Sequence, residues 1–373
     1  MRRAPSDLTA LRREIADLDR TLARNIARRL ALARQVGRRK ATHRAAARDF
    51  SVEAEVLARW RAALGRSGIP AGRTDALARW LIEESVRVQQ EVRAKAAPGS
   101  ARATEIAIIG GAGAMGSWLA GFFEDAGHRV GVVDPRAARL GRPRLGSVES
   151  AAARAEVLVF ATPIRSTAPL LRRAVATGTD ALLFDVLSVK APILRTLKDA
   201  AAAGRQVTSV HPMFGPSART LSGRNLLIVS CGVPEADRAA RALFSGSALA
   251  IGEVPLDRHD LLIAESLGLA HAVNLLFLAA LSADPATPHE LAQAASTTFQ
   301  RQSTLASAVA REGPELYLDI QALNPHTGGL YRDLERALGR LREMVDRRDL
   351  AGFSSLLERG RAKLDSGTEP MRS

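Results

Sequence analysis

The stretch Glu105-Ile-Ala-Ile-Ile-Gly-Gly-Ala-Gly-Ala-Met-Gly116 decides the fold. Ile106–Ile109 has the length and β-branched content of a buried strand, and Ser117–Ala126 continues in a helical pattern. Between them Gly111, Gly113 and Gly116 keep the G-x-G-x-x-G spacing, with Ala114 and Met115 filling it. Such a triplet alone is weak evidence. Here a second apolar run, Val130–Val133, follows the helix and ends at Asp134, eighteen residues past Gly116. The glycines allow a tight turn and close approach of backbone to a pyrophosphate, which rests on the positive end of the helix. Asp134 would accept hydrogen bonds from the adenosine ribose hydroxyls and repel a 2′-phosphate, so the predicted cofactor is NAD and not NADP.

Outward from this unit, short apolar runs alternate with helical patterns: Val157–Phe160, Leu182–Val186, Val207–Val210 and Leu226–Val229. That alternation predicts a parallel sheet flanked by helices, a Rossmann-type dinucleotide-binding domain over residues 105–254. Residues 255–373 read as helical again, with apolar stripes in 260–282, 290–311 and 328–364. Upstream, residues 1–95 are all helical in pattern. Leu8, Leu11, Ile15, Leu18, Leu22, Ile26, Leu30 and Ala33 form the stripe of one long amphipathic helix, with Asp7 placed to cap it. Further helices are predicted over Val52–Leu64 and Thr74–Lys95, split by the Gly68–Gly72 turn, and residues 96–104 form a linker. The fold class is therefore multidomain: an all-α domain, an α/β domain, then a second all-α domain.

The 373 residues are enough for several cores, and 46% hydrophobic with 25% charged is ordinary for a globular protein. The one cysteine, Cys231, excludes a disulfide framework and any cysteine-rich metal module, so no metal is expected. The apolar run Leu275–Leu281 is too short to span a bilayer and no signal-like segment is seen, which predicts a cytoplasmic protein without membrane association. Of the +14 net charge, most sits in the first hundred residues, where 22 Lys and Arg face 11 Asp and Glu. Nucleic-acid binding, anionic small-molecule binding and a bias toward arginine codons all compete as explanations. Aromatic residues make up only 4% of the chain, which argues against single-strand binding by base stacking, and no nucleic-acid partner is expected.

Two candidate reacting groups lie where strands end. His211 opens His-Pro-Met-Phe-Gly-Pro216 directly after Val207–Val210, and Ser188 lies in Asp185-Val-Leu-Ser-Val-Lys190. In an open parallel sheet, ligands bind beyond the carboxyl ends of the strands. A histidine there can take a proton from a hydroxyl as hydride leaves the adjacent carbon.

Gly111–Gly116, Asp185–Lys190, His211–Pro216, Arg258-His-Asp260 and Pro314-Glu-Leu-Tyr-Leu-Asp319 resemble prephenate dehydrogenase, in the same order along the chain. Residues Leu8 to Gln90 are similar to the helical chorismate mutase domain, so the whole resembles the bifunctional chorismate mutase/prephenate dehydrogenase family of tyrosine biosynthesis. The resemblance implies that His211 accepts the hydrogen bond from the C4 hydroxyl of prephenate, with Ser188 orienting it. It implies that Arg301 and His271 bind substrate, in a helical C-terminal domain that dimerises. Oxidative decarboxylation with NAD would then give 4-hydroxyphenylpyruvate. Arogenate, the aminated relative of prephenate, is not separated from it by these residues.

For the mutase block the chemistry needs no nucleophile. The protein has only to hold a dianion compactly and stabilise charge growing on an ether oxygen. Arg29 and Lys40 lie within about 20° of one helix face and roughly 16 Å apart, spaced to bracket a small substrate. Arg12 is roughly 25 Å from Arg29 on a straight helix, so a functional Arg12 must come from a second chain of a homodimer. The resemblance assigns Arg12 and Arg29 to the carboxylates and Lys40 and Gln89 to the ether oxygen. Asp49, Glu53 and Ser85 would serve the ring hydroxyl and a carboxylate. Val52 stands where this mutase family usually carries an arginine, which leaves a basic helical binding or oligomerisation module as the competing reading. Tyrosine is an expected feedback inhibitor by resemblance alone.

Overall fold

The computed structural model describes residues 6–42, 50–65, 67–96, 103–136, 141–218, 221, 224–245, 247, 249–283, 285–311 and 313–365. The chain divides into two compact units, Met1–Ser188 with Pro192–Leu256, and Val189–Ala191 with Asp257–Ser373.

The first unit opens with three helices, α1 (Ser6–Thr42), α2 (Phe50–Leu64) and α3 (Ala71–Ala96). No helix breaker precedes Gly37 in α1, and the helix continues through that glycine, where its backbone lies close against α3. A Cβ at Gly37 would lie 2.8 Å from Gln89 Cα. The guanidinium of Arg61 donates two hydrogen bonds, of 2.7 and 2.6 Å, to the Asp75 carboxylate and ties α2 to α3. α1 starts one residue earlier than its expected cap, so Asp7 lies inside the first turn.

The sheet follows, with β1 (Glu105–Ile109), α4 (Ala114–Asp125), β2 (Arg129–Val133), α5 (Val148–Ala152), β3 (Val157–Phe160), α6 (Ile164–Ala176) and β4 (Leu182–Asp185). It continues with α7 (Leu194–Ala202), β5 (Val207–Pro212), β6 (Asn225–Ser230), α8 (Pro234–Phe244) and β7 (Ala250–Pro255). The strand order is β2-β1-β3-β4-β5-β6-β7, and the reversal between β1 and β3 opens a crevice at the carboxyl edge. Strands β1–β5 are parallel, but β6 runs antiparallel to β5, so the all-parallel expectation is corrected. The cause is the connection: Met213–Arg224, rich in Gly, Pro and Ser, contains no crossover helix among its described residues that would return the chain in parallel. β7 was absent from the expected strands. The core between sheet and helices holds Ile106, Ile108, Leu119, Phe123, Phe184 and Phe244.

The second unit is helical: α9 (Leu256–Ile263), a π-turn at Ala264–Gly268, α10 (Leu269–Ser282), α11 (Pro288–Gln293), α12 (Thr297–Ala310), α13 (Pro314–Leu323), α14 (Thr327–Asp346) and α15 (Leu350–Asp365). Where the π-turn meets α10, Gln321 Nε2 of α13 donates to the Gly268 oxygen at 3.1 Å. The stripe over 328–364 falls on two helices, separated where Arg348 takes a positive φ of 53°. The continuous helix Leu256–Ser282 is long and apolar enough by composition to cross a membrane. A core helix of a globular protein passes the same test, and the uninterrupted apolar run Leu275–Leu281 within it remains shorter than a bilayer span.

Candidate active sites

In the helical block, Arg29 projects from α1 onto α3, donating to Leu81 O at 2.6 Å and to the Ser85 hydroxyl. Ser85 and Gln89 are one turn apart on α3, both buried, and the Gln89 side-chain oxygen has no hydrogen-bond partner among the described residues. Lys40 is half-buried in the last turn of α1. The fold thus brings Arg29 and Ser85 into contact, with Gln89 on the same face of α3. Arg12 stays on the exposed face of the same continuous helix, and among the described residues no contact links it to Arg29. Asp49 and the side chain of Glu53 lie outside the described residues, as does that of Val52. Burial, and then the charge of Arg59 on α2, hold the Arg29 guanidinium below its ordinary pKa. Arg59 was missed in the sequence because it is one arginine among many. Its seven-residue spacing from Val52, two helix turns, was the available signal.

In the sheet, a cleft of about 760 Å³ opens at the carboxyl ends of β1, β2 and β3. Gly110, Gly113, Asp134, Arg136, Arg144 and Thr162 are among its lining residues. Gly113 caps α4 without any side-chain hydrogen bond, which leaves the first amides of that helix for a ligand. Ala114 and Met115 are the first helical residues. Gly116 is required by packing: a Cβ there would run into the Gly110 carbonyl oxygen and come within 2.9 Å of Gly111 Cα. A Cβ on Gly111 would lie 2.8 Å from Val132 Cβ. Asp134 is 6% exposed, and its carboxylate accepts from Ala112 N at 3.0 Å and from Arg136 N at 2.8 Å, so it fixes the glycine turn to the end of β2. An uncapped helix start, a turn with no room for side chains and a carboxylate beside them fit a dinucleotide.

His211 is the fifth residue of β5 and lies inside the strand, not after it, at 2% exposure. The loop that follows is anchored by Trp118 of α4, which donates to Ala218 O at 3.1 Å and packs edge-on to Phe214 at 5.1 Å. Phe214 belongs to the His211–Pro216 motif, but Trp118 was not picked out from the sequence, since it looks like an ordinary core aromatic. Ser188 lies three residues beyond β4 and is half-buried.

In the second unit, His271 on α10 packs against Tyr317 at 4.3 Å between ring centroids, and its Nδ1 is buried with no hydrogen-bond partner among the described residues. Burial pushes the imidazole pKa down from 6.5 to about 4. Arg301 is exposed on α12, and Gln302 beside it donates to Asn274 on α10 at 3.1 Å. His259 and Asp260 form a buried pair at 2.7 Å. Burial works against the charged Asp260, but His259 and the amides of Lys190 and Ala191 outweigh it and hold the carboxyl below its usual range.

A dinucleotide cleft at the switch point of such a sheet, with an imidazole buried in β5, two strands beyond β3, marks a dinucleotide-dependent dehydrogenase, here following a helical bundle in which an arginine of α1 meets a serine of α3. Residues 11–90 match the type II chorismate mutase family, and residues 129–227 match the nucleotide-binding domain of prephenate dehydrogenase. The chain is 34% identical over 271 residues to a 4-amino-4-deoxyprephenate dehydrogenase of Streptomyces pristinaespiralis, spanning 67% of this chain and 87% of that protein. It is 22% identical over 354 residues to a T-protein of Enterobacter agglomerans, spanning 95% of this chain and 92% of the relative. The prephenate dehydrogenase of A. aeolicus, solved with hydroxyphenyl propionate and NAD+, shares the fold with a TM-score of 0.59 and 17% identity, over 71% of this chain and 99% of that one. The chain belongs to the bifunctional chorismate mutase/prephenate dehydrogenase family, an isomerase joined to an oxidoreductase in tyrosine biosynthesis.

Proposed function

We propose that the α1–α3 bundle rearranges chorismate to prephenate, and that the sheet then carries the NAD-dependent oxidative decarboxylation of prephenate to 4-hydroxyphenylpyruvate. The observation that carries the second step is the position of His211, buried near the carboxyl end of β5 in the sheet whose β1–α4 turn forms the dinucleotide cleft. NAD supplies the hydride acceptor. Gly111, Gly113, Ala114, Met115 and Gly116 hold its pyrophosphate, and Asp134 holds the adenosine ribose. His211 takes the proton of the C4 hydroxyl while Ser188 keeps its ring in orientation. Loss of the ring carboxylate as carbon dioxide then aromatises the product. Arg301 and His271 bind substrate, the guanidinium offering a carboxylate two parallel hydrogen bonds.

In the mutase site Arg29, Lys40, Gln89, Ser85 and Glu53 surround the dianion, with Asp49 at the ring hydroxyl and Arg12 delivered by the second chain of a homodimer. Arg59 adds a cation at the Arg29 end, where Val52 has withdrawn one from the same helix. The protein works in the cytoplasm, with a second copy, and not lipid, covering the apolar face of the Leu256–Ser282 helix. Tyrosine is the expected feedback ligand.

A second reading concerns substrate. The Streptomyces relative is named for a substrate with an amine at C4. Such a substrate would ask His211 to take its proton from nitrogen in place of oxygen. Supplying chorismate, prephenate, arogenate and 4-amino-4-deoxyprephenate in parallel with NAD, and following reduced cofactor, tests both readings. Reduction from chorismate and from prephenate supports the main reading. Reduction from only the 4-amino compound supports the second, and reduction from prephenate but not chorismate means the helical block is a binding module.

A further inference from the structure

The faces of β4 and β5 are fixed by their partners. Phe184 on β4 packs its ring 6.4 Å from Phe244 of α8, and Thr208, its register neighbour on β5, donates to Asp237 of α8 at 2.5 Å. Side chains alternate along a strand, so Asp185, Ser209 and His211 share the opposite face. Asp185 and Ser209 are register partners across β4 and β5, and neighbouring strands lie about 4.8 Å apart. His211 follows Ser209 by two residues, about 6.6 Å along the strand. Asp185 and Ser209 are fully buried and His211 is 2% exposed.

The Asp185 carboxylate has a local structural duty, since one oxygen accepts from Leu187 N at 2.9 Å and shapes the turn leading to Ser188. Ser209 serves no such local purpose, because its hydroxyl is buried and without a hydrogen-bond partner among the described residues. A strand position facing the interior is ordinarily filled by an apolar side chain, and an unsatisfied buried hydroxyl is costly. The hydroxyl shares this face with a carboxylate one strand across in register and an imidazole two residues along its own strand, and a change of side-chain rotamer or one bridging water is what would join the three. α7, packed on β5, turns Thr196, Leu197 and Ala200 inward and leaves Arg195, Lys198 and Asp199 exposed.

We propose that Ser209 is a positioning residue for the general base, its hydroxyl linking the buried Asp185 carboxylate to the His211 imidazole. The ring nitrogen that does not face substrate donates its N–H to Ser209 Oγ, and the serine O–H donates to Asp185, while Ser188 acts from the substrate side, at the nitrogen that meets the C4 hydroxyl. This fixes the tautomer that leaves the other nitrogen free to accept the C4 proton, and it stabilises the imidazolium formed as hydride departs. No bond other than hydrogen bonds changes in the link. The inference rests on the reading of His211 as the base.

The test uses the full-length protein with Ser209→Ala, Asp185→Asn and the double variant. Asn at 185 keeps an oxygen for Leu187 N while removing the charge. Two readouts are taken: the acid limb of the kcat/KM profile with prephenate and NAD, and the NMR titration of the His211 ring without cofactor. Each single variant should lower the imidazole pKa, move the acid limb to lower pH and cut kcat roughly tenfold with little change in KM, the scale of one hydrogen bond to a charged group. The double variant should lose no more than either single one, because the link is already broken. An unmoved imidazole titration in folded Ser209→Ala, or additive losses in the double variant, overturns the proposal. His211→Asn separates the two layers. If it retains turnover, the base assignment itself fails; if it is inactive while Ser209→Ala is unaffected, only the link fails.

Discussion

At the scale of single residues, the chemistry depends on which side chains the backbone holds still. Asp134 has both carboxylate oxygens engaged with the amides of Ala112 and Arg136, so it shapes the turn as well as presenting charge. Asp134→Ala should raise the KM for NAD about tenfold or more, the size of losing hydrogen bonds to a charged group, and erode the preference over NADP. An unchanged cofactor ratio would refute its role. His271 gives a stability prediction with a definite sign. Its folded pKa of about 4 lies below the ordinary 6.5, so an unfolded chain binds the proton first. Stability is therefore full above pH 6.5 and falls as the pH drops toward 4. Thermal unfolding across that window should show a smaller drop in His271→Gln than in the parent chain. The glycines and Asp134 were legible in the sequence because backbone geometry permits few alternatives there. Trp118, Arg59 and Ser209 were not, because their surroundings come from neighbours distant in the chain.

At the scale of elements, the close seam between α1 and α3 carries the mutase geometry. Gly37→Ala would force a Cβ to 2.8 Å from Gln89 Cα, backbone that cannot yield cheaply. It should cost roughly 1–3 kcal/mol and depress chorismate turnover while prephenate oxidation persists, read by denaturant unfolding and paired assays. Arg59→Ala should raise the KM for chorismate about tenfold if that guanidinium joins Arg29 at the substrate, and leave it unmoved if its charge is only solvated. Periodicity gave β1 to β5 and the long α1 well, since buried runs and an uninterrupted stripe are strong local signals. β7 escaped notice because Gly252 and Glu253 dilute its apolar pattern. The direction of β6 is a property of its connection, which composition does not encode, and the Gly268 oxygen at the end of the π-turn meets Gln321, 53 residues downstream.

At the scale of the whole molecule, burial within one chain is incomplete. Leu8, Leu11, Ile15, Leu18 and Leu22 are each more than half exposed along α1, the stripe a second copy would cover while delivering Arg12. Leu18→Asp should shift the protein toward monomer in sedimentation and abolish mutase turnover, and an unchanged assembly with full activity would exclude the shared site. The central claim is narrower: hydride leaves the substrate beside the imidazole of His211. A crystal of the protein soaked with NAD and a non-reacting prephenate analogue measures this directly. The account predicts a His211 ring nitrogen within hydrogen-bond distance, about 3 Å, of the group on the analogue's C4, with that carbon facing the nicotinamide. A His211 ring turned away, with another side chain at that position, would contradict it.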